Sequence, residues 1–168
     1  MEHLSTFSLY LVLMFSAISV LTDLKWRIVP NQLLLIGLAF GVYMRMFEGD
    51  WIAGFLGAGL ALLLTLPFFI AGGLGAGDVK LLMLIGFFTN ASYSLTSFFI
   101  TALVGGILSI LAMLLSKKRS SALFQFKYIF FSVVYLKKLP QLDEQSSVTL
   151  PYCIPIFVGN VLTILIAR

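Results

Sequence analysis

Apolar residues are concentrated in long runs along this chain, with polar residues confined to the short segments between them. Four of the runs approach the ~20 residues that an α-helix needs to cross a bilayer core. They cover residues 4–22, 51–71, 95–116 and 148–167. Three shorter runs cover residues 32–47, 79–88 and 123–136. The pattern predicts an all-α, polytopic integral membrane protein with about six transmembrane helices.

The run at residues 123–136 differs from the others because it is short and contains Lys127. Its length favours an interfacial or re-entrant segment over a span. Whether residues 120–147 form a span, a re-entrant segment or a lid over a site stays open at this stage. Neither an internal repeat nor a low-complexity linker divides the chain, so residues 1–168 are predicted to form one membrane-embedded domain.

The composition also indicates a membrane protein, because 60% of the 168 residues are hydrophobic, 11% are charged and the mean hydropathy is +1.06. A soluble domain of this size does not bury so much apolar surface, so the lipid bilayer is the expected surrounding. The net charge of +4 lies in short segments between apolar runs. This arrangement argues against nucleic-acid binding and predicts a topology signal instead.

Basic residues mark one predicted side of the membrane. They are Lys25, Arg27, Lys80 and the cluster at residues 117–119. The positive-inside rule places these segments in the cytoplasm and places residues 45–50 and 89–94 outside, so that both chain ends lie outside. Asp23 and Asp78 then lie on the cytoplasmic side, each at the end of a span, although 55 positions separate them.

Residues 72–80 read Gly-Gly-Leu-Gly-Ala-Gly-Asp-Val-Lys and put four glycines and two charges between two apolar runs. A carboxylate such as Asp78 in a membrane costs roughly 2.5–3.5 kcal/mol on insertion scales, so it requires a reason. Gly75 and Gly77 are predicted to turn the backbone at φ > 0 and to let a bound peptide approach Asp78 closely. Other glycines are expected to serve close helix packing. They are Gly54, Gly57, Gly59, Gly105 and Gly106.

Few hydrolytic mechanisms can be built from this sequence. The single histidine, His3, is near the chain end, and the single cysteine, Cys153, forms no disulfide or Cys-x-x-Cys metal site within the chain. We therefore expect no metal and no cofactor, and we interpret Cys153 as a small buried side chain. Two neighbouring carboxylates need neither a metal nor a cofactor. They share a proton, so that one acts as a base on water while the other polarises the scissile carbonyl.

Each aspartate also has a plainer interpretation. Asp78 is a competent N-cap for a helix over residues 79–88, and Asp23 is compatible with a loop charge paired with Lys25 or Arg27. Lys80 either pairs with a carboxylate or extends to the interface. Pro30 disfavours a helix at the preceding residue, and Asn31 is a competent N-cap for the next one.

The motifs around the two aspartates resemble those of the prepilin peptidases, a branch of the Gly-x-Gly-Asp membrane aspartic proteases. Asp23 is followed by Ile-Val-Pro-Asn at residues 28–31, and Gly-Ala-Gly-Asp-Val-Lys-Leu stands at residues 75–81. Pro151 and Tyr152 open the last apolar run. The resemblance runs from about residue 5 to 165. The two aspartate motifs together are specific to this family, whereas either motif alone is a weak signal.

This resemblance implies an aspartic endopeptidase of a bacterial or archaeal cytoplasmic membrane that cleaves leader peptides from pilin precursors at the cytoplasmic face. Asp23 and Asp78 are then the catalytic pair. The supporting residues that match the family's motifs are Gly75, Gly77, Lys80, Pro30, Asn31, Pro151 and Tyr152. The sequence indicates neither which pilin is cleaved nor an oligomeric state.

The larger prepilin peptidases carry an N-terminal cytoplasmic region, often with paired Cys-x-x-Cys motifs, that is associated with N-methylation of the cleaved pilin. This sequence opens directly into an apolar run and has no such cysteines. It therefore resembles the compact type found with Flp, or tight-adherence, pilus systems, and N-methyltransferase activity is not predicted.

Two other classes of protein compete with the peptidase hypothesis. An ion-coupled transporter or channel component also uses glycine-broken helices and membrane carboxylates, but it predicts an internal repeat that this sequence lacks. It also leaves the spacing of Asp23, Pro30 and Asn31 unexplained. A structural assembly subunit has no need of either aspartate.

Overall fold

The computed structural model of the chain describes residues 6–115 and 152–166, and these residues form α-helices joined by short turns, without a β-strand. The helices are α1 Thr6–Trp26, α2 Asn31–Glu48, α3 Trp51–Ile70, α4 Ala76–Phe88, α5 Ala91–Leu115 and α6 Cys153–Ile166. The all-α prediction is confirmed. Within the described residues, three segments are long and apolar enough to cross a membrane, namely Thr6–Trp26, Trp51–Ile70 and Ala91–Leu111.

The helices begin and end at different residues from the apolar runs. Helix α1 continues to Trp26, so Asp23 lies in its last turns and not in a polar loop. Helix α4 already begins at Ala76 and therefore contains Asp78. Helix α5 begins before residue 95 because the Asn90 side chain accepts the N–H of Tyr93, 2.9 Å away, and caps the helix.

Several predictions fall outside the described residues. They concern the segment 120–147 with its apolar run 123–136, the basic cluster 117–119, and Pro151. Helices α1 to α4, α6 and residues 91–105 of α5 form one compact unit, and the site described below lies within it. The prediction of a single domain over residues 1–168 stays a prediction.

Helix α4 is the most enclosed helix of this unit. Eight of its 13 residues are buried, and Phe88 packs on Phe15 of α1 with ring centroids 5.5 Å apart. Glycines on α3 let the backbones meet, since a Cβ atom at Gly57 would collide with the carbonyl of Gly86 and one at Gly54 would lie 3.0 Å from that of Phe87. The packing role predicted for these two α3 glycines is confirmed.

The other three predicted packing glycines differ. Among the described residues, none lies within 4 Å of a Cβ atom built at Gly59 or Gly106, so a packing role for these two glycines stays a prediction. A Cβ atom at Gly105 would be in ordinary contact with Pro155 at 3.5 Å. These positions do not require glycine for the packing of the described helices.

Arg45 anchors the C-terminal end of α4, whereas the sequence predicted that it lies in a turn outside the membrane. Only 4% of the residue is exposed. Its Nε and Nη2 donate hydrogen bonds of 3.1 and 2.8 Å to the carbonyl oxygen of Phe87, and Nη2 also donates to that of Thr89. These carbonyl groups at the C-terminus of α4 lack intrahelical partners, so a cation is favoured there. The opposite end of α4 carries Asp78.

Candidate active site

Asp23 belongs to the inward face of α1. The buried residues of this helix recur every three or four positions and are Ser8, Leu11, Val12, Phe15, Ser16, Ser19 and Asp23. This spacing is one face of an α-helix, so the periodicity that buries Phe15 also turns Asp23 inward. Asp23 is only 9% exposed. The interpretation of Asp23 as an ordinary loop charge is therefore wrong, and Lys25 lies instead over the ring of Trp26, 4.7 Å from its centroid.

Asp78 lies in the first turn of α4 and is partly buried. The N-cap residue of this helix is Gly75, whose carbonyl oxygen accepts the N–H groups of Asp78 and Val79 at 3.1 Å. Asp78 is the third residue after the cap, so it is not the N-cap that the plainer interpretation required. Its carboxylate interacts with the backbone N–H of Gly75 and lies near the positive end of the α4 dipole.

The two carboxylates meet at the first residue of α6. The backbone N–H of Cys153 donates a hydrogen bond to Asp23 Oδ2 at 3.3 Å, and its thiol donates to Asp78 Oδ1 at 3.4 Å. Cys153 is fully buried. The carboxylates are also close enough to interact electrostatically. Residues that are far apart in the sequence thus form one cluster at the ends of α1, α4 and α6.

The glycines before Asp78 act differently from the prediction. Among the described glycines only Gly49 and Gly72 have positive φ, so the expected left-handed turn at Gly75 or Gly77 is wrong. Their small size matters instead. A Cβ atom at Gly75 would lie 3.0 Å from Asp78 Oδ2, and one at Gly77 would lie 3.0 Å from the Cβ of Val29. Gly75 therefore makes room for the carboxylate, and Gly77 makes room for the segment before α2.

Pro30, Asn31 and Lys80 connect α2 to α4. Pro30 is the N-cap residue of α2, and its carbonyl oxygen accepts the N–H of Leu33 at 3.0 Å. Asn31 is already the first helical residue, so its prediction as the N-cap is wrong. Its Oδ1 accepts a hydrogen bond of 3.1 Å from Lys80 Nζ. Lys80 therefore contacts an amide rather than a carboxylate, on the exposed side of the site.

The predicted supporting residues at the start of the last span are only partly described. Pro151 lies outside the described residues. Tyr152 is partly buried and directly precedes Cys153, and its carbonyl oxygen accepts the N–H of Ile156 at 3.3 Å. In residues 6–115 and 152–166, no group of three or more His, Cys, Asp or Glu side chains is placed to hold a metal ion.

The sequence interpretation missed the contact of Cys153 with both aspartates. A signal was present: Cys153 stands at the entry to the last apolar run, at a span end like Asp23 and Asp78. Cys153 was interpreted from the sequence as a small buried residue, because a lone cysteine forms neither a metal-binding pattern nor a disulfide pattern. The burial part of that interpretation is confirmed.

Comparison with known proteins gives two matches. Residues 10–110, which include both aspartates, match the model of the type IV leader peptidase family. A curated relative, the prepilin leader peptidase/N-methyltransferase of Bacillus subtilis (strain 168), is 30% identical over 97 residues, which cover 55% of this chain and 39% of the relative. The chain thus aligns with about two fifths of that protein's length. No solved structure matches the chain. Because the family model covers more than half of the residues, the chain belongs to the type IV leader peptidase family.

Proposed function

We propose that this chain is a membrane aspartic endopeptidase that cleaves the leader peptide of prepilin-like precursors, with Asp23 and Asp78 as its catalytic pair. The observation that carries the proposal is the contact of both carboxylates with Cys153 at 3.3 and 3.4 Å. Helix ends that lie 55 and more positions apart in the sequence bring these groups together. Family membership supports the leader peptide as substrate.

The chemistry follows from two carboxyl groups with different surroundings. Asp23 is buried and accepts the backbone N–H of Cys153 at the N-terminus of α6. Burial raises the pKa of Asp78 to about 6, so Asp78 is the group that carries the shared proton. Asp23 removes a proton from the attacking water, and Asp78 donates a hydrogen bond to the carbonyl oxygen of the scissile peptide. The proton on Asp78 passes to the leaving amine as the tetrahedral intermediate breaks down.

The site lies at the ends of helices, which suits cleavage near one membrane surface. Lys25, Arg27 and Lys80 lie within a few positions of the two aspartates. The positive-inside rule therefore favours the cytoplasmic face. The apolar side chains of Leu21 and Leu24 beside Asp23 are 67% and 58% exposed. An apolar precursor helix that lies in the bilayer would contact such a surface while its leader junction reaches the carboxylates.

The test is cleavage of a pilin precursor by purified variants in detergent or liposomes. Asp23→Asn and Asp78→Asn keep the shape of each side chain but prevent proton sharing, so each should lower kcat by at least about a hundredfold, within the range of general acid–base contributions. Asp50→Asn is the matched control, because Asp50 caps α3 through Ala53 at 3.1 Å and Asn caps equally well. Wild-type cleavage by either of the first two variants would refute the aspartate mechanism.

A further inference from the structure

The start of α6 contacts both aspartates although it belongs to neither of their helices. Cys153 donates to Asp23 through its backbone N–H and to Asp78 through its thiol, and the residue is completely buried. The backbone N–H is one of the groups at a helix N-terminus that lack an intrahelical partner. A carboxylate there is stabilised both by the hydrogen bond and by the positive end of the helix dipole.

A second polar contact fixes α6 along its own axis. Asn160 lies seven residues after Cys153, which is about two helical turns or ~10 Å. It is fully buried, and its Oδ1 accepts hydrogen bonds from Ser97 Oγ at 2.9 Å and from the Tyr93 hydroxyl at 3.3 Å. Its Nδ2 donates to the carbonyl oxygen of Ile156 at 2.8 Å. The side chain therefore satisfies its acceptor only when α6 sits at one height against α5.

Such a buried amide specifies position more than it adds stability. Apolar packing between helices tolerates small sliding movements, whereas a hydrogen-bonded amide in an apolar surrounding has few alternative partners. A slide of α6 by one turn would move its N-terminus by about 5 Å and would break both contacts of Cys153 with the aspartates. Asn160 and Cys153 are thus two ends of the same rigid segment.

We infer that α6 positions the catalytic pair, with Cys153 holding the two carboxylates and Asn160 holding α6 in register. This inference rests on the proposed function, because it assigns positioning residues to that same reaction. Neither residue exchanges a proton with the substrate. Their effect is on the geometry of Asp23 and Asp78, so it falls on the chemical step and leaves substrate affinity unchanged.

The thiol is tested with three substitutions at Cys153. Cys153→Ala and Cys153→Val remove the donor to Asp78, and the valine keeps the volume of the side chain filled. Both should lower kcat about tenfold with KM unchanged, the loss expected for one hydrogen bond to a charged or strongly polar acceptor. Cys153→Ser restores a donor and should recover most of kcat. Wild-type kcat in both the alanine and the valine variants would overturn the role of the thiol.

Infrared spectroscopy gives a measurement that does not depend on activity. The chain has one cysteine, so the S–H stretching band of the purified protein reports Cys153 alone. Asp78→Ala removes the acceptor and should shift this band to higher frequency, whereas Asp50→Ala removes a distant carboxylate and should leave it in place. An unchanged band in Asp78→Ala would refute the contact.

The register role is tested at the α5–α6 contact. Asn160→Leu removes the acceptor, and Ser97→Ala is a milder variant that removes one donor and serves if the leucine variant does not fold. Each should lower kcat with KM unchanged. When either variant is combined with Cys153→Ala, the fold-loss of kcat in the double variant should be smaller than the product of the two single losses, because both residues act through the same geometry. A fully multiplicative loss would overturn the register role.

The outcomes separate this inference from the proposed function. Inactive Asp23→Asn and Asp78→Asn variants together with fully active Cys153→Ala and Cys153→Val variants would leave the aspartic peptidase standing and remove the positioning role of the thiol. Cleavage that survives both aspartate substitutions would remove the proposed function itself. In that case the infrared band would still show whether the thiol contacts Asp78.

Discussion

Gly77 lies directly beneath Val29, so that a Cβ atom at Gly77 would be 3.0 Å from the Cβ atom of Val29. The segment that leads into α2 therefore rests on the first turn of α4, one residue before Asp78. The hydrogen bond between Lys80 and Asn31 joins the same two segments. Gly77 thus determines how closely the Pro-Asn segment approaches the aspartate, and this close packing replaces the left-handed turn that the sequence predicted.

Substitutions at Gly77 and Val29 test this packing. Gly77→Val should lower precursor cleavage strongly because the added methyl groups push the segment at Val29 away from α4. Gly77→Ala should be milder, because alanine favours a helix over glycine by roughly 0.5–1 kcal/mol and the neighbour needs to move only slightly. Val29→Gly removes the contacting Cβ atom and should restore cleavage to the Gly77→Ala variant. If glycine is required only for approach of the substrate, Val29→Gly will restore nothing.

Gly75→Ala should reduce cleavage without unfolding the protein. The backbone at Gly75 has φ −75° and ψ 151°, which alanine adopts readily, so the helix start survives. The new Cβ atom would nevertheless lie 3.0 Å from Asp78 Oδ2 and would displace the carboxylate. Thermal unfolding and precursor cleavage are to be measured together.

The matched control for this variant is Gly73→Ala. A Cβ atom at Gly73 would be 3.5 Å from the carbonyl oxygen of Phe68, an ordinary contact. It should leave both the unfolding temperature and cleavage near their wild-type values. Equal rates in the Gly75→Ala and Gly73→Ala variants would show that Asp78 tolerates the added methyl group.

The sequence predicts most of the helices because each apolar run either crosses lipid or packs against another helix. It does not predict the start of α4 at Ala76, since glycines and charges at a run's edge are typical of a loop. It also places Arg45 in an exterior turn, because only the folded chain supplies the carbonyl group of Phe87, 42 positions away, as its partner. The two aspartates are found from their motifs. Their contact with Cys153 depends on three helix ends that meet in space.

Arg45→Gln should destabilise the protein more than it changes the chemistry. The guanidinium satisfies the carbonyl groups of Phe87 and Thr89 at the end of α4, and each buried acceptor left without a partner costs about 1–3 kcal/mol. We expect a lower unfolding temperature in detergent, with kcat little changed in the folded fraction. Lys25→Gln is the control, because Lys25 is exposed and its contact with the Trp26 ring contributes only about 0.5–1 kcal/mol. Equal unfolding temperatures for the two variants would refute the anchoring role of Arg45.

The orientation of the site is tested by labelling introduced cysteines with a membrane-impermeant thiol reagent. The wild-type chain supplies its own background, since Cys153 is fully buried and should stay unlabelled. Lys25→Cys should react only in inside-out vesicles and Asp50→Cys only in intact cells, because the positive-inside rule places the end of α1 in the cytoplasm and the α2–α3 turn outside. Asp50 is preferred to Gly49, whose φ of 74° would strain a cysteine side chain. The opposite labelling pattern would put Asp23 and Asp78 on the outer face, away from unprocessed precursor, and would refute cleavage at the cytoplasmic surface.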